Sequence, residues 1–215
     1  TRYIGDWSSD VCSSDLALAR RFGVHRHTVR RAIGDLARTG VVYSRRGSGV
    51  YVHQKTTDYP LGRRVSFTRN LHAAGRLPSR KVLLIETRAS DEKEAEHLRL
   101  SVGDPVHCYD GLSCADDQPL AIFRSVFPAH RLGDLPAALA QFESITEALR
   151  HQGIQDYTRD WTRVSAQTAT ATQALHLRLS PGSPLLLTLS LNTGPDGQPI
   201  EYGRTWFSGD RVPLT

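Results

Sequence analysis

The stretch Leu16–Val52, LALARRFGVHRHTVRRAIGDLARTGVVYSRRGSGVYV, constrains the fold of this chain more than any other. Leu18, Ala19 and Phe22 fall on one face at helical spacing. Gly23-Val24 follows as a turn, because glycine tolerates the positive φ that ends a helix. A second helix is predicted from about Arg26 to Thr39, with Gly40 as its stop. Its apolar stripe is Val29, Ala32, Ile33 and Leu36, and Arg26, Thr28, Arg30 and Arg31 lie on its other side. The β-prone runs Val41–Tyr43 and Val50–Val52 flank Ser44–Gly49, which reads as a hairpin tip. Helix, tight turn, helix and hairpin in this order make a winged helix-turn-helix pattern. Such a second helix enters a DNA major groove, so Arg26, His27, Thr28, Arg30 and Arg31 are candidate contacts, with Arg45, Arg46 and Gly47 from the wing.

Charge supports this reading. Ala17–His53 holds eight Arg, no Lys or Glu and one Asp, a net +7 in a chain whose total is +5. Residues 1–16 are net −2, and everything beyond residue 53 is neutral. An Arg-rich helix face alone is ordinarily just solvated. A basic excess confined to one segment, on the second of two helices and again in the hairpin, is the footprint of a polyanion partner. A purely structural role leaves that localisation unexplained. His25 and His27 sit too close to the basic helix face to read as metal ligands.

The string LA-x-RFGV-x-R-x-TVRRAI-x-x-L-x-x-x-GVV-x-x-R-x-GSGVYV resembles the DNA-binding domain of GntR-family bacterial transcription regulators. In that family a further helix and a Leu-Pro-Ser-Glu-like cap precede the position of Leu18. Thr1–Leu16, TRYIGDWSSDVCSSDL, has neither, repeats Ser-Ser-Asp, and over Asp6–Leu16 matches one reading frame of a common sequencing-library adapter. Residues 1–16 are therefore expected to be a non-native segment, residues 17–53 a partial winged helix lacking its first helix, 54–63 a linker and 64–215 a second domain.

Composition bounds the rest. A length of 215 residues fits one or two domains. No run approaches a membrane span, and no signal-peptide core is present. Cys12 lies in the segment expected to be non-native, and Cys108 and Cys114 read as two free thiols, which fits a cytoplasmic protein. The polar stretch His53–Gly62 separates the basic segment from an α+β pattern. Strands are predicted over Lys81–Arg88, Val106–Leu112, Leu120–Phe127, Asp160–Ala169, Pro184–Leu191 and Pro199–Ser208. Short helices are predicted over Ser66–Ala74, Asp91–Leu98 (capped by Ser90), Ile145–His151 and Thr172–Leu177. Two halves repeat one motif of helix, S-x-G-x-P turn, strand, Gln-Pro hairpin and strand, around Gly103-Asp104-Pro105 with Gln118-Pro119 and Gly182-Ser183-Pro184 with Gln198-Pro199. An antiparallel sheet with helices on one side follows.

From about Asp58 to Leu214 the chain resembles the UTRA effector-binding domain, which marks the HutC subfamily of GntR regulators and has a chorismate-lyase-like fold. Asp58–Leu61, Ser66–Leu71 and His25–Ile33 are most similar to regulators of phosphonate metabolism. The resemblance implies a homodimeric, ligand-responsive repressor of phosphonate uptake or metabolism genes. It would bind a pseudo-palindromic double-stranded operator, joined through the UTRA domains, with winged-helix spacing altered through His53–Gly62. It also implies an effector pocket in the sheet between the repeats. Ser66, Phe67 and Thr68 sit where backbone N–H groups favour an anion, with a plain N-cap as the equal alternative for Ser66. Arg124, Arg163, Glu201, Tyr202 and Arg204 are the other candidates, arginine being suited to a phosphonate by its planar fork. Sugar-phosphate-sensing relatives carry Arg-x-Arg where this chain has Gly111 and Ser113, so the effector is either an anionic phosphonate or another small metabolite.

Enzyme readings are weaker. A lyase-like fold needs no tethered DNA-binding domain. His107 and Cys108 are adjacent and point to opposite faces of a strand, so they cannot act as base and nucleophile together. No G-x-S-x-G, P-loop or H-x-x-x-H helix is present, and neither a metal nor a cofactor is expected.

Overall fold

The computed structural model describes residues 15–39, 42–45, 49–52, 56–64, 66–142 and 144–215. The chain divides into two compact units, Thr1–Lys55 and Thr56–Thr215.

In the first unit, α1 (Asp15–Phe22) and α2 (Arg26–Arg38) flank a turn in which Gly23 has φ +62°. The Val24 N–H donates to the Ala19 carbonyl at 3.1 Å, closing the end of α1. Ala19 and Val29 are buried and Ile33 is half-buried. Phe22 departs from the expected apolar face: it ends α1, is 61% exposed, and carries the Arg21 guanidinium 5.8 Å from its ring centre. Strands β1 (Val42–Arg45) and β2 (Gly49–Val52) pair antiparallel from Val42↔Val52 to Arg45↔Gly49. Residues 1–14, on which the expectation of a non-native segment and a missing helix falls, lie outside the described residues; Asp15 and Leu16 belong to α1.

The second unit is built on a six-stranded antiparallel sheet in the order β3-β4-β5-β8-β7-β6. Its strands are β3 (Pro78–Ala89), β4 (Pro105–Ala115), β5 (Gln118–Pro128), β6 (Thr158–Thr168), β7 (Pro184–Thr193) and β8 (Pro199–Ser208). The repeat is visible in its details. Helix α4 (Glu92–Leu98) follows β3 and α7 (Ala171–Leu177) follows β6. Each opens on a reciprocal capping box, Asp91 with Glu94 and Thr170 with Gln173. Each closes on a left-handed arginine, Arg99 at φ 55° and Arg178 at φ 53°. The cap of α4 is thus Asp91, not Ser90; the Ser90 hydroxyl instead donates to the Ser101 carbonyl at 3.2 Å.

Helices cover both faces of the sheet rather than one. Tyr109, Phe123 and Phe127 pack against Leu135, Leu139 and Leu149 of α5 (Leu135–Gln141) and α6 (Ile145–His151). Their neighbours Cys108 and Val126 pack with Leu98 of α4 on the other side, because successive strand residues alternate. Helix α5 has no counterpart among the expected elements; α3 (Phe67–Ala73) and α6 fall where expected.

Part of the expected linker is a strap on the second unit. The N–H groups of Thr57, Tyr59 and Leu61 donate to the carbonyls of Arg211, Pro213 and Thr215 at 2.9, 2.9 and 2.7 Å. The reason is apolar: alternation turns Tyr59 inward against Phe67 and Phe207, with ring centres 6.2 and 5.0 Å away. Arg64 then forms a two-pronged pair with Asp156, both bonds 2.8 Å.

Candidate DNA-reading helix and effector cavity

The basic helix α2 presents Arg26, His27, Thr28, Arg30 and Arg31 to solvent. His25 is its N-cap and accepts from the His27 N–H at 3.4 Å, and the two rings stack at 5.2 Å. Two of the expected contact residues are engaged from within the unit. The Asp15 carboxylate accepts from Arg30 Nε at 2.7 Å and stands 3.7 Å from Arg26 Nε. The hydrogen bond from Arg30 holds the Asp15 carboxyl below its ordinary value. Arg45 is the last residue of β1; Arg46 and Gly47 lie outside the described residues.

In the second unit, a cavity of about 100 Å³ opens on the sheet face that carries α3, α5 and α6. It adjoins a wider cleft of about 730 Å³ that shares Ser66, Phe67, Thr68, Arg80, Ser144 and Thr146 with it. Of the expected effector residues, the fold brings Ser66, Phe67, Thr68 and Glu201 to this cavity. Ser66 is the N-cap of α3, its hydroxyl accepting from the Arg69 N–H at 3.4 Å.

Four expected residues are not there. Tyr202 and Arg204 alternate with Glu201 and therefore point to the opposite face, where Tyr202 packs with Leu98 and Cys108 and the Arg204 guanidinium lies 5.3 Å over the Tyr202 ring. Arg124 is on that face too, donating Nε to Asp110 at 2.8 Å. Arg163, on edge strand β6, is exposed and lies 6.0 Å over the Trp161 ring.

Other residues take their place. Arg80 on β3 lines the cavity opposite Ser113 of β4. Its guanidinium rests 5.3 Å from the Phe123 ring centre and 5.7 Å from that of Tyr109. Arg80 Nη1 is buried with no hydrogen-bond partner among the described residues. Gly111 makes room for this stack, since a Cβ there would meet Phe123 Cζ at 2.6 Å and the Lys81 carbonyl at 2.9 Å. The Arg-x-Arg positions Gly111 and Ser113 thus lack arginine, while the neighbouring strand supplies one. The sequence pattern starts that strand at Lys81, three residues after its true beginning at Pro78, and only cross-strand register shows that position 80 faces Ser113.

On the other wall, Glu201 is buried and accepts from Ser125 Oγ at 2.5 Å and Asn192 Nδ2 at 2.7 Å. Asn192 Oδ1 in turn accepts from Arg159 Nε at 2.7 Å, which fixes the amide's orientation. Tyr157 hydrogen-bonds Thr146 at 2.8 Å, and burial raises the Tyr157 phenol and pushes that of Tyr59 up to about 12. Both rings therefore serve as neutral polar walls. Among the described residues the cavity combines two guanidinium groups, one carboxylate and several hydroxyls, a set suited to holding a small polar molecule.

Family comparison agrees with this two-part arrangement. Residues 15–52 match the model of bacterial regulatory proteins of the gntR family, and residues 73–213 match the UTRA domain. The chain is a GntR-family regulator with a UTRA domain. It is 34% identical over 98% of its length to the HTH-type transcriptional regulator RB1450 of Rhizobium meliloti, covering 87% of that protein. It is 32% identical over 96% of its length to the probable transcriptional regulator PhnF of Escherichia coli, covering 86%. The crystal structure of PhnF from Mycobacterium smegmatis superposes with a TM-score of 0.71 at 26% identity, covering 98% of this chain and 92% of the other. A GntR-family regulator binds DNA through its helix-turn-helix and a small-molecule effector through UTRA, and these relatives are named as transcriptional regulators rather than enzymes. Among the described residues no helix is long and apolar enough to cross a membrane, and no cluster of His, Cys, Asp and Glu could hold a metal ion.

Proposed function

We propose that this regulator is a repressor that binds a pseudo-palindromic operator as a homodimer and releases it when an anionic, phosphonate-like effector enters the cavity beside Arg80. The observation that carries this reading is the Arg80 guanidinium, stacked on two aromatic rings and lining the cavity with a buried, unpartnered nitrogen. A guanidinium with one nitrogen withdrawn from water and lacking an acceptor favours a charge-matched oxyanion such as a phosphonate. Arg26, His27, Thr28, Arg30 and Arg31 carry the groove contacts, and Arg45, Arg46 and Gly47 set the wing against the backbone. The repressor sense agrees with the name of the Mycolicibacterium smegmatis relative, HTH-type transcriptional repressor PhnF, 27% identical over 96% of this chain. For the dimer contact we propose the outer edge of β3, an edge strand that exposes Val82, Leu83 and Leu84. Lys81 and Glu86 flank that apolar run, so a second copy laid antiparallel across it brings opposite charges together.

Fluorescence anisotropy with DNA from upstream of the gene tests this. Specific binding relieved by an alkylphosphonate is expected. Specific binding relieved only by sugar phosphates or another metabolite replaces the effector class, and no specific binding overturns the reading.

A further inference from the structure

Arg80 and Glu201 both line one small cavity, yet they form no ion pair with each other. Arg80 has an orphaned nitrogen. The Glu201 carboxylate is buried on neutral donors, Ser125 and Asn192, and those two bonds leave lone pairs unused. A carboxylate removed from water without a cation beside it is costly, as is a guanidinium nitrogen without an acceptor. Arg159, the other cation on the wall, is held off Glu201 by the intervening Asn192 amide. Two complementary charges therefore face one space without satisfying each other.

We propose that the effector is a compact amino-substituted oxyanion, its anionic head on Arg80 and its ammonium group on Glu201. The inference rests on the cavity being the effector site. Each end of such a ligand supplies what one wall lacks. Among the described residues Arg80, Arg159 and Glu201 give the cavity wall a net positive charge, so a doubly charged phosphonate head carrying one amine complements it better than a carboxylate or sulfonate does. A cavity of about 100 Å³ admits only a short linker between the two ends. Gly203 contributes to this shape: it pairs with Ser125, and a Cβ there would meet Ser190 Oγ at 2.9 Å and approach Glu201 Oε1 at 3.9 Å.

Isothermal titration calorimetry on the full chain tests the assignment with 2-aminoethylphosphonate, ethylphosphonate, taurine and β-alanine. The amino compound is expected to bind about tenfold more tightly than ethylphosphonate, with taurine and β-alanine weaker. Glu201→Gln is expected to abolish that preference, bringing the affinities of the two phosphonates together, and Arg80→Gln to weaken both phosphonates. N-acetylation of 2-aminoethylphosphonate, which removes the cation without altering the protein, should bring its affinity down to that of ethylphosphonate or lower. Equal affinity of the amino and plain phosphonates, or a preference that survives Glu201→Gln or N-acetylation, overturns the proposal while leaving the cavity as an anion site. Phosphonate binding indifferent to Arg80→Gln, or binding by none of the compounds, overturns the cavity reading as well.

Discussion

Arg124 of β5 stands directly opposite Arg204 of β8 at the centre of the effector domain, at equivalent positions of its two halves. The local two-fold of the repeat thus passes between two like charges. Their repulsion is answered by acids: Arg124 donates to Asp110, and Arg204 stands 3.7 Å from Asp91. Both arginines lie on the face away from the cavity. Replacing Asp110 with Asn is expected to lower stability by about 1 kcal/mol, because Arg124 then faces Arg204 without its partner. Effector affinity should not change. Chemical denaturation and calorimetry on one variant check both halves, and a loss of affinity would return Arg124 to the site.

The Asp15 carboxylate holds Arg30 and stands beside Arg26, so under the proposed function it competes with DNA for both. Asp15→Asn should free both guanidinium groups, raise operator affinity and steepen the dependence of binding on salt, since more phosphates are then neutralised. Anisotropy titrations over a salt series measure this, and an unchanged slope would remove Arg26 and Arg30 from the phosphate contacts.

Gly111→Ala tests the support beneath Arg80. The added methyl collides with the Phe123 ring and with backbone, which cannot both yield. A destabilisation of about 1–3 kcal/mol is expected, together with weaker effector binding as the ring shifts under the guanidinium. Thermal melting with and without ligand separates the two effects.

His107 gives stability a pH dependence. Burial holds its imidazole below the ordinary value of 6.5, and Nδ1 is 2.7 Å from Thr87 Oγ1. The unfolded chain therefore takes up the proton first as pH falls, so this stabilisation is fully present above about 6.5 and is lost as pH drops through the folded-state value. The melting temperature is expected to decline from pH 7 toward pH 5, and less steeply in His107→Gln. Parallel curves for the two proteins would assign the decline to other groups.

The β3 edge gives the proposed dimer a direct test. Lysine at both Val82 and Leu84 should shift the chain toward monomer in analytical ultracentrifugation and weaken operator binding, with the effector domain still folded by circular dichroism. A dimer indifferent to both changes would place the contact elsewhere.

Much of the architecture was legible along the chain. The 3.6-residue spacing of Val29, Ile33 and Leu36, the glycine at position 23, and the paired S-x-G-x-P and Gln-Pro turns are local signals, and each lies at the element it announced. Helix α5 was less legible, since Pro136 and a short apolar run give little period to read. The stretch 57–61 reads along the sequence as linker because it is polar. Its structure comes from the C-terminal tail, more than 150 residues away in sequence, a partner no local pattern reveals.

The sequence by itself determined the order of the strands, the internal repeat, the localisation of positive charge and the family, because these depend on composition and short-range periodicity. Only the tertiary structure decided which side chains share the cavity. Glu201, Tyr202 and Arg204 are near neighbours in the chain, yet the pleat sends Glu201 to one face and the other two to the opposite one. Arg80 reaches the site through cross-strand register with Ser113, and the strand bulge beyond Val82 means that counting along β3 alone does not give the facing of every residue. A binding site is set by distances between strands, and those are fixed only when the sheet closes around its core.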